Sequence, residues 1–189
     1  MKLITLAFLL FTVTVAGAQV KIERETRVKR HNVPERAREF INDAFEGFKR
    51  VKWYFEESNE GDSYEAKFRF QKKQYSVKFD TQGLIVDIEW IIPFEDVAQT
   101  AKESITGYFN ENFISYRILK IQVQLLGSED DLEDYIDEDE YDGVVVNYEF
   151  EIQGKTPDEN KLWEVIFDSE GKVLLHREIY LPDNFNLDF

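Results

Sequence analysis

Ten acidic residues crowd the stretch from Glu129 to Asp142, the densest set of potential ligands in the chain. Hard oxygen donors at this density suit Ca²⁺. The best loop, Asp137-x-Asp139-x-Tyr141-Asp142-Gly143, has Tyr where an EF-hand places Asp or Asn. Its Gly falls one position late, and no closing bidentate Glu follows. A block of one charge sign otherwise reads as a solvated insertion, here spanning 128–142. Docking of a basic partner is a third reading, kept open by the interleaved Leu132, Tyr135, Ile136 and Tyr141. Nucleophilic and metal chemistry have fewer tools. The chain has no Cys and two histidines, His31 and His176, without zinc spacing. It contains no Gly-x-Ser-x-Gly, phosphate loop or dinucleotide fingerprint, so no cofactor is expected. His176 alternates with Leu174, Glu178 and Tyr180 and reads as a surface residue. A hydrolase would need a carboxylate pair, and 38 acidic residues offer many pairs without singling one out.

The elements that would position these groups follow a doubled plan. Tyr75-Ser76-Val77-Lys78-Phe79-Asp80 leads into Thr81-Gln82-Gly83, and Trp163-Glu164-Val165-Ile166-Phe167-Asp168 leads into Ser169-Glu170-Gly171. Each is a β-hairpin with an Asp to cap the turn and a Gly to supply positive φ in a type I turn closed by a bulge. Ahead of the first hairpin, Val33, Ala37, Phe40, Ile41, Ala44, Phe45 and Phe48 form a helix stripe. Asn32 is its expected cap, and Gly47 its expected end. Alternation then marks strands around Val51–Phe55, Tyr64–Phe70 and the hairpin. After Pro93 the plan repeats, with a helix stripe from Phe94 to Phe109 and strands over 119–125 and 144–152 before the second hairpin. The expected class is α+β, two tandem α-β-β-β-β repeats over 33–92 and 93–181. The antiparallel sheet would carry its helices on one face and leave the polar face open.

The ends of the chain read differently. Lys2, an apolar run from Leu3 to Val15 and Ala16-Gly17-Ala18 predict a signal peptide over 1–18, cut near Ala18. That run is too short to span a bilayer, which takes about 20 residues. The mature protein is therefore expected to be exported, to the periplasm or beyond. Residues 19–32 are basic and poor in apolar side chains, and read as a flexible arm. Residues 182–189 form a tail without periodicity. A net charge of −15 argues against nucleic acid and anionic membranes as partners. Without disulfides, packing of 16 Phe, 9 Tyr and 3 Trp must hold the fold.

Val33-Pro34, Ala37, Phe45, Val51-Lys52-Trp53, Tyr64-Glu65-Ala66, Tyr75-Ser76-Val77 and Phe79-Asp80-x-x-Gly83 together resemble the PepSY-like group of exported bacterial proteins, which is similar in fold to the β-lactamase-inhibitor proteins. The resemblance runs from about residue 33 to 181. In the second unit it rests on the hairpin and Tyr148-Glu149-Phe150. It implies a tandem α-β4 fold and a non-enzymatic module that binds or inhibits another protein. The inhibitors carry disulfides and this chain has no Cys; no inhibitory residue is matched.

The expected function is therefore binding of a protein or peptide by a monomer, through the open sheet face. Tyr54, Lys67, Arg69 and Lys78 would serve from the first unit, and Ile166, His176 and Tyr180 from the second. The alternative is a Ca²⁺-dependent envelope or surface protein using 129–142, and a hydrolase is the third class.

Overall fold

The structure, a computed structural model, describes residues 20–138 and 140–180. The expected signal peptide and C-terminal tail lie outside them, as does Asp139 of the acidic run. Among the described residues no helix is long and apolar enough to cross a membrane.

Among the described residues nine strands and three α-helices follow one another. Strand β1 (Lys21–Val28) precedes α1 (Glu35–Ala44), then come β2 (Lys52–Ser58), β3 (Ser63–Phe70), β4 (Lys73–Asp80) and β5 (Ile85–Ile91). Helix α2 (Gln99–Asn112) leads to β6 (Ser115–Leu126), α3 (Glu129–Glu138), β7 (Val145–Lys155), β8 (Asn160–Asp168) and β9 (Val173–Tyr180). Each strand pairs antiparallel with the next, and β1 meets β9 in parallel over Lys21–Ile179 and Ile22–Tyr180. The sheet thus closes on itself like a barrel.

Strand alternation assigns the two sides of this wall. Trp53, Ala66, Val77, Phe79, Ile88, Leu125, Phe150, Val165 and Phe167 point outward and are buried, because the helices cover them. Phe40 of α1 meets Phe79 at 5.8 Å between ring centres, and Phe109 of α2 meets Phe150 and Phe167, each at 5.5 Å. Edge-to-face rings of this kind add about 0.5–1.5 kcal/mol beyond area burial. Helices on one face were expected. The other face is not open: it lines the interior of the closed sheet.

Three local readings need correction. The segment read as a flexible arm is mostly β1, paired to β2 from Glu23–Ser58 to Val28–Trp53. Its inward residues are Lys21, Glu23 and Glu25, so it carries no apolar alternation to reveal it. The first helix begins at Glu35, and Asn32 makes no cap. Val33 stands before Pro34 and is held extended (φ −89°, ψ 140°), as proline demands of its predecessor. The acidic run is not a loop through 129–138 but helix α3. Ser128 and Asp131 cap it reciprocally, and three acids in its first turn favour the helix dipole. Leu132 is fully buried in the core and Tyr135 stacks on Trp90 of β5 at 6.3 Å, so these two residues dock on the protein itself, whereas Tyr141 stays exposed.

The hairpin glycines are positioned by packing as well as by the turn. Asp80 Oδ1 accepts from the Gln82 and Leu84 amides, and Asp168 Oδ1 from those of Glu170 and Lys172. Both hairpins shift register one residue before this Asp, at Lys78/Phe79 and Ile166/Phe167. Gly83 and Gly171 have φ of +85° and +83°, and a Cβ on Gly171 would lie 2.7 Å from the Ala101 carbonyl oxygen of α2. Gly171→Ala is expected to cost about 2 kcal/mol by urea denaturation, from left-handed strain plus displacement of α2. Gly47→Ala, at the same φ of +85° but with nothing within 4 Å, should cost only about 1 kcal/mol.

Candidate binding site

The inner wall is polar. Side chains from β1 through β9 enclose a cavity of about 370 Å³ in which twelve acidic groups face five basic ones. A sheet of eight or so strands encloses little more than its own side chains, so these groups must meet one another. At the seam, Lys21 of β1 lies 2.9 Å from Glu164 of β8 and 2.7 Å from Glu23. Arg177 of β9 donates to the same Glu164 at 2.7 Å and also pairs with Glu60. Further round, Lys67 bridges Glu25 (2.7 Å) and Glu65 (3.0 Å), Lys78 pairs with Glu56 (3.0 Å), and Lys120 pairs with Glu151.

The acids in excess respond to this environment. Burial pushes Glu149 up to about 7, with the Glu164 carboxylate adding to it and Lys120 opposing. Burial also pushes Asp87 up to about 6, against the pull of Lys78. Carboxyls poised near neutrality in this way follow from desolvation without an adjacent cation.

A second concavity lies at one end of the wall, where β1 ends, β2 starts and β3 turns into β4. Its volume is about 820 Å³. Arg27, Lys49, Arg50, Lys52, Lys67 and Arg69 rim it, no acid among the described residues lines it, and Val51, Phe68, Tyr75 and Ile91 supply apolar surface. A neighbouring hollow of about 600 Å³ shares Arg27, Lys49, Arg50 and Lys52 and adds Lys29 and Arg30. Among the described residues Arg27, Lys49, Arg50, Lys52 and Arg69 make no ion pair, whereas Arg24 and Arg36 elsewhere pair with Glu57 and Glu129. Unpaired cations gathered in one hollow of an acidic protein focus a positive potential there.

The residues singled out from sequence divide among these places. Lys67 and Arg69 sit at the basic groove, and Tyr54 lies beneath the Lys67 ammonium, 5.3 Å from its ring centre. Lys78 and Ile166 face the inner cavity, and Tyr180 is exposed at the β1–β9 seam. His176 is not a surface residue of the polar face. It sits on the helix side, its Nδ1 2.8 Å from Tyr108 Oη of α2 and its ring 4.9 Å from that of Trp163. Burial lowers its pKa, which keeps it neutral. The parity of β9 was right, but Leu175, Arg177 and Ile179 face the interior rather than the helices, because Arg177 must reach Glu164. Missed from sequence were Arg27, Lys49 and Arg50. The run Lys49-Arg50-x-Lys52 after the helix was their one visible signal.

The acidic run offers no converging ligand set through 129–138, since Glu129 pairs with Arg36 and Asp131 caps the helix. Among the described residues the three carboxylates that converge, within 4.8 Å, are Glu25, Glu56 and Glu65. The Lys67 and Lys78 ammoniums already occupy that position.

Solved structures share this fold. The chain is similar to a BLIP-like protein of Bacteroides fragilis, with a TM-score of 0.53 and 11% identity over 82% of this chain and 92% of that one. A DUF2874 family protein of Bacteroides ovatus matches at 0.53 and 12%, covering 77% and 87%. A protein of Bacteroides eggerthii described as a candidate periplasmic protein matches at 0.52 and 12%, covering 80% and 93%. At such identities the likeness is one of fold. The likeness to a BLIP-like protein agrees with the resemblance read from the sequence, while the sheet found is one closed wall of nine strands with three α-helices among the described residues. No family model matches the chain, and no curated protein matches it in sequence.

Proposed function

We propose that this protein is an exported, non-enzymatic binding module that captures an acidic segment of a protein partner in the basic groove. The observation that carries this reading is the set of five unpaired cations around an apolar floor on a chain of net charge −15. Such a site attracts carboxylates at long range and retains aromatic or aliphatic side chains at contact. Export is supported by the apolar leader in the sequence and by the likeness to the protein described as a candidate periplasmic one. The sheet-face reading is kept in altered form: a partner segment would reach the end of the inner face at Lys67 and Arg69, which line the groove. The module acts by occupancy, and its two helix-led strand sets are read as tandem units of one binding body.

The test uses a labelled peptide of alternating Glu and Phe, followed by fluorescence anisotropy in 50 mM salt. Binding should weaken at least tenfold in the Lys52→Glu, Arg69→Glu double variant and fall further as salt is raised. A Lys/Phe peptide of equal length should not bind. Undiminished binding by the double variant would remove the groove from the proposal.

A further inference from the structure

Inside the closed sheet, Asp87, Glu89 and Glu149 have no cation within ion-pair distance among the described residues. Asp87 and Glu89 of β5 and Glu149 of β7 flank Gln122 and Gln124 of β6, facing the 370 Å³ cavity. Gln122 Nε2 donates to Glu89 at 2.7 Å, and Gln124 Nε2 is shared between Asp87 (3.3 Å) and Glu89 (3.4 Å). Asn147 donates to Gln124 at 3.2 Å. Glu149 is 7% exposed, yet its carboxylate makes neither a hydrogen bond nor an ion pair among the described residues. The amide oxygens of Gln122 and Asn147, residues 4% and 3% exposed, are likewise unpartnered. The nearby cations are engaged elsewhere, Lys120 with Glu151 and Lys78 with Glu56.

Buried carboxylates and amide oxygens without donors are costly, and a ligand that brings both positive charge and N–H groups would satisfy those that face the cavity, Glu149 and the Gln122 oxygen. We infer that this chamber binds an aliphatic di- or polyamine, its ammonium groups held by Glu149, Asp87 and Glu89 and by the Gln122 carbonyl oxygen. Spacing decides against a single metal ion. Ca²⁺ gathers its oxygens at about 2.3–2.6 Å around one point, and these three carboxylates do not converge within 4.8 Å as the Glu25, Glu56 and Glu65 set does. An ammonium offers three donors, and a carbon chain can carry two or more ammoniums across the gap. The cavity is of small-molecule size, and Glu60 and Gly61 of the exposed β2–β3 turn form part of its rim.

Calorimetry and thermal melting with putrescine and spermidine at pH 7.5 test the inference. Saturable 1:1 binding is expected, with Tm raised by about 5 °C at a hundredfold excess over Kd. Glu149→Gln, which keeps the shape and removes an unpaired buried charge, should weaken binding at least tenfold while remaining folded. Lys52→Glu with Arg69→Glu should leave it unchanged, which separates this site from the groove. The inference is overturned by no heat at millimolar amine, meaning protons alone neutralise the chamber. It is overturned equally if Glu149→Gln binds as well as the parent, meaning amines collect on the acidic surface. Glu149-dependent binding of CaCl2 in place of the amines would also overturn it.

Discussion

Lowering the pH from 8 to 5 should stabilise this protein, raising its Tm by about 10 °C. Glu149, held near 7, and Asp87, held near 6, bind their protons more tightly in the folded chain than in the unfolded one. Folding therefore takes up protons between about pH 4 and 7, and stability falls as pH rises through that window. A tenfold gain in proton affinity on folding is worth about 1.4 kcal/mol, so the two groups together contribute roughly 3–5 kcal/mol at pH 5 that is lost by pH 8. The ion-paired Glu23 and Glu65 behave oppositely. Their pKa values are lowered, by Lys21 and Lys67 respectively against burial, so their stabilisation is lost only as pH falls further. Circular-dichroism melts from pH 4 to 9 should show a maximum near pH 5. Glu149→Gln should flatten the fall towards pH 8. A melting temperature that is level or rises between pH 5 and 8 would contradict this reading of the chamber.

Glu164→Ala should cost roughly 3–5 kcal/mol, with the damage centred on the β1–β9 seam. Glu164 is 2% exposed and joins Lys21 of the first strand to Arg177 of the last. Burial by itself would lower the Lys21 pKa, yet the Glu164 and Glu23 carboxylates raise it above the usual ammonium range. Removing Glu164 leaves two largely buried cations without their shared partner, and among the described residues the seam has two paired positions to resist opening. Urea denaturation should report the loss, and hydrogen exchange should rise first at residues 21–23. Glu57→Ala, which breaks the exposed pair with Arg24 of β1, should cost under about 1 kcal/mol. A Glu164→Ala protein within about 1 kcal/mol of the parent would show that the seam is held by something other than this triad.

The sequence by itself determined the outer half of the structure. Helix stripes through Phe40, Phe45 and Phe109, and period-two alternation through Val77, Phe79, Val165 and Phe167, are driven by burial of apolar surface. That signal can be read without knowing the partner. The Asp and Gly of each hairpin were legible for the same reason, since their geometry is local. The interior was a tertiary decision. Lys21, Glu23 and Glu25 alternate with Ile22, Arg24 and Thr26, a pattern with no apolar periodicity, so β1 resembled a flexible arm until Lys21 met Glu164, 143 positions along the chain. The acidic run hid a helix because its charges outnumber Leu132, Tyr135 and Ile136, which join the core only once the chain has folded, Tyr135 against Trp90. The groove gathers Arg27 from β1, Lys49 and Arg50 from a connection and Arg69 from β3. Charges distant in sequence carry no record of being neighbours. Their proximity is set by closure of the sheet, which brings β1 and β9 together over contacts that alternation within any one strand cannot specify.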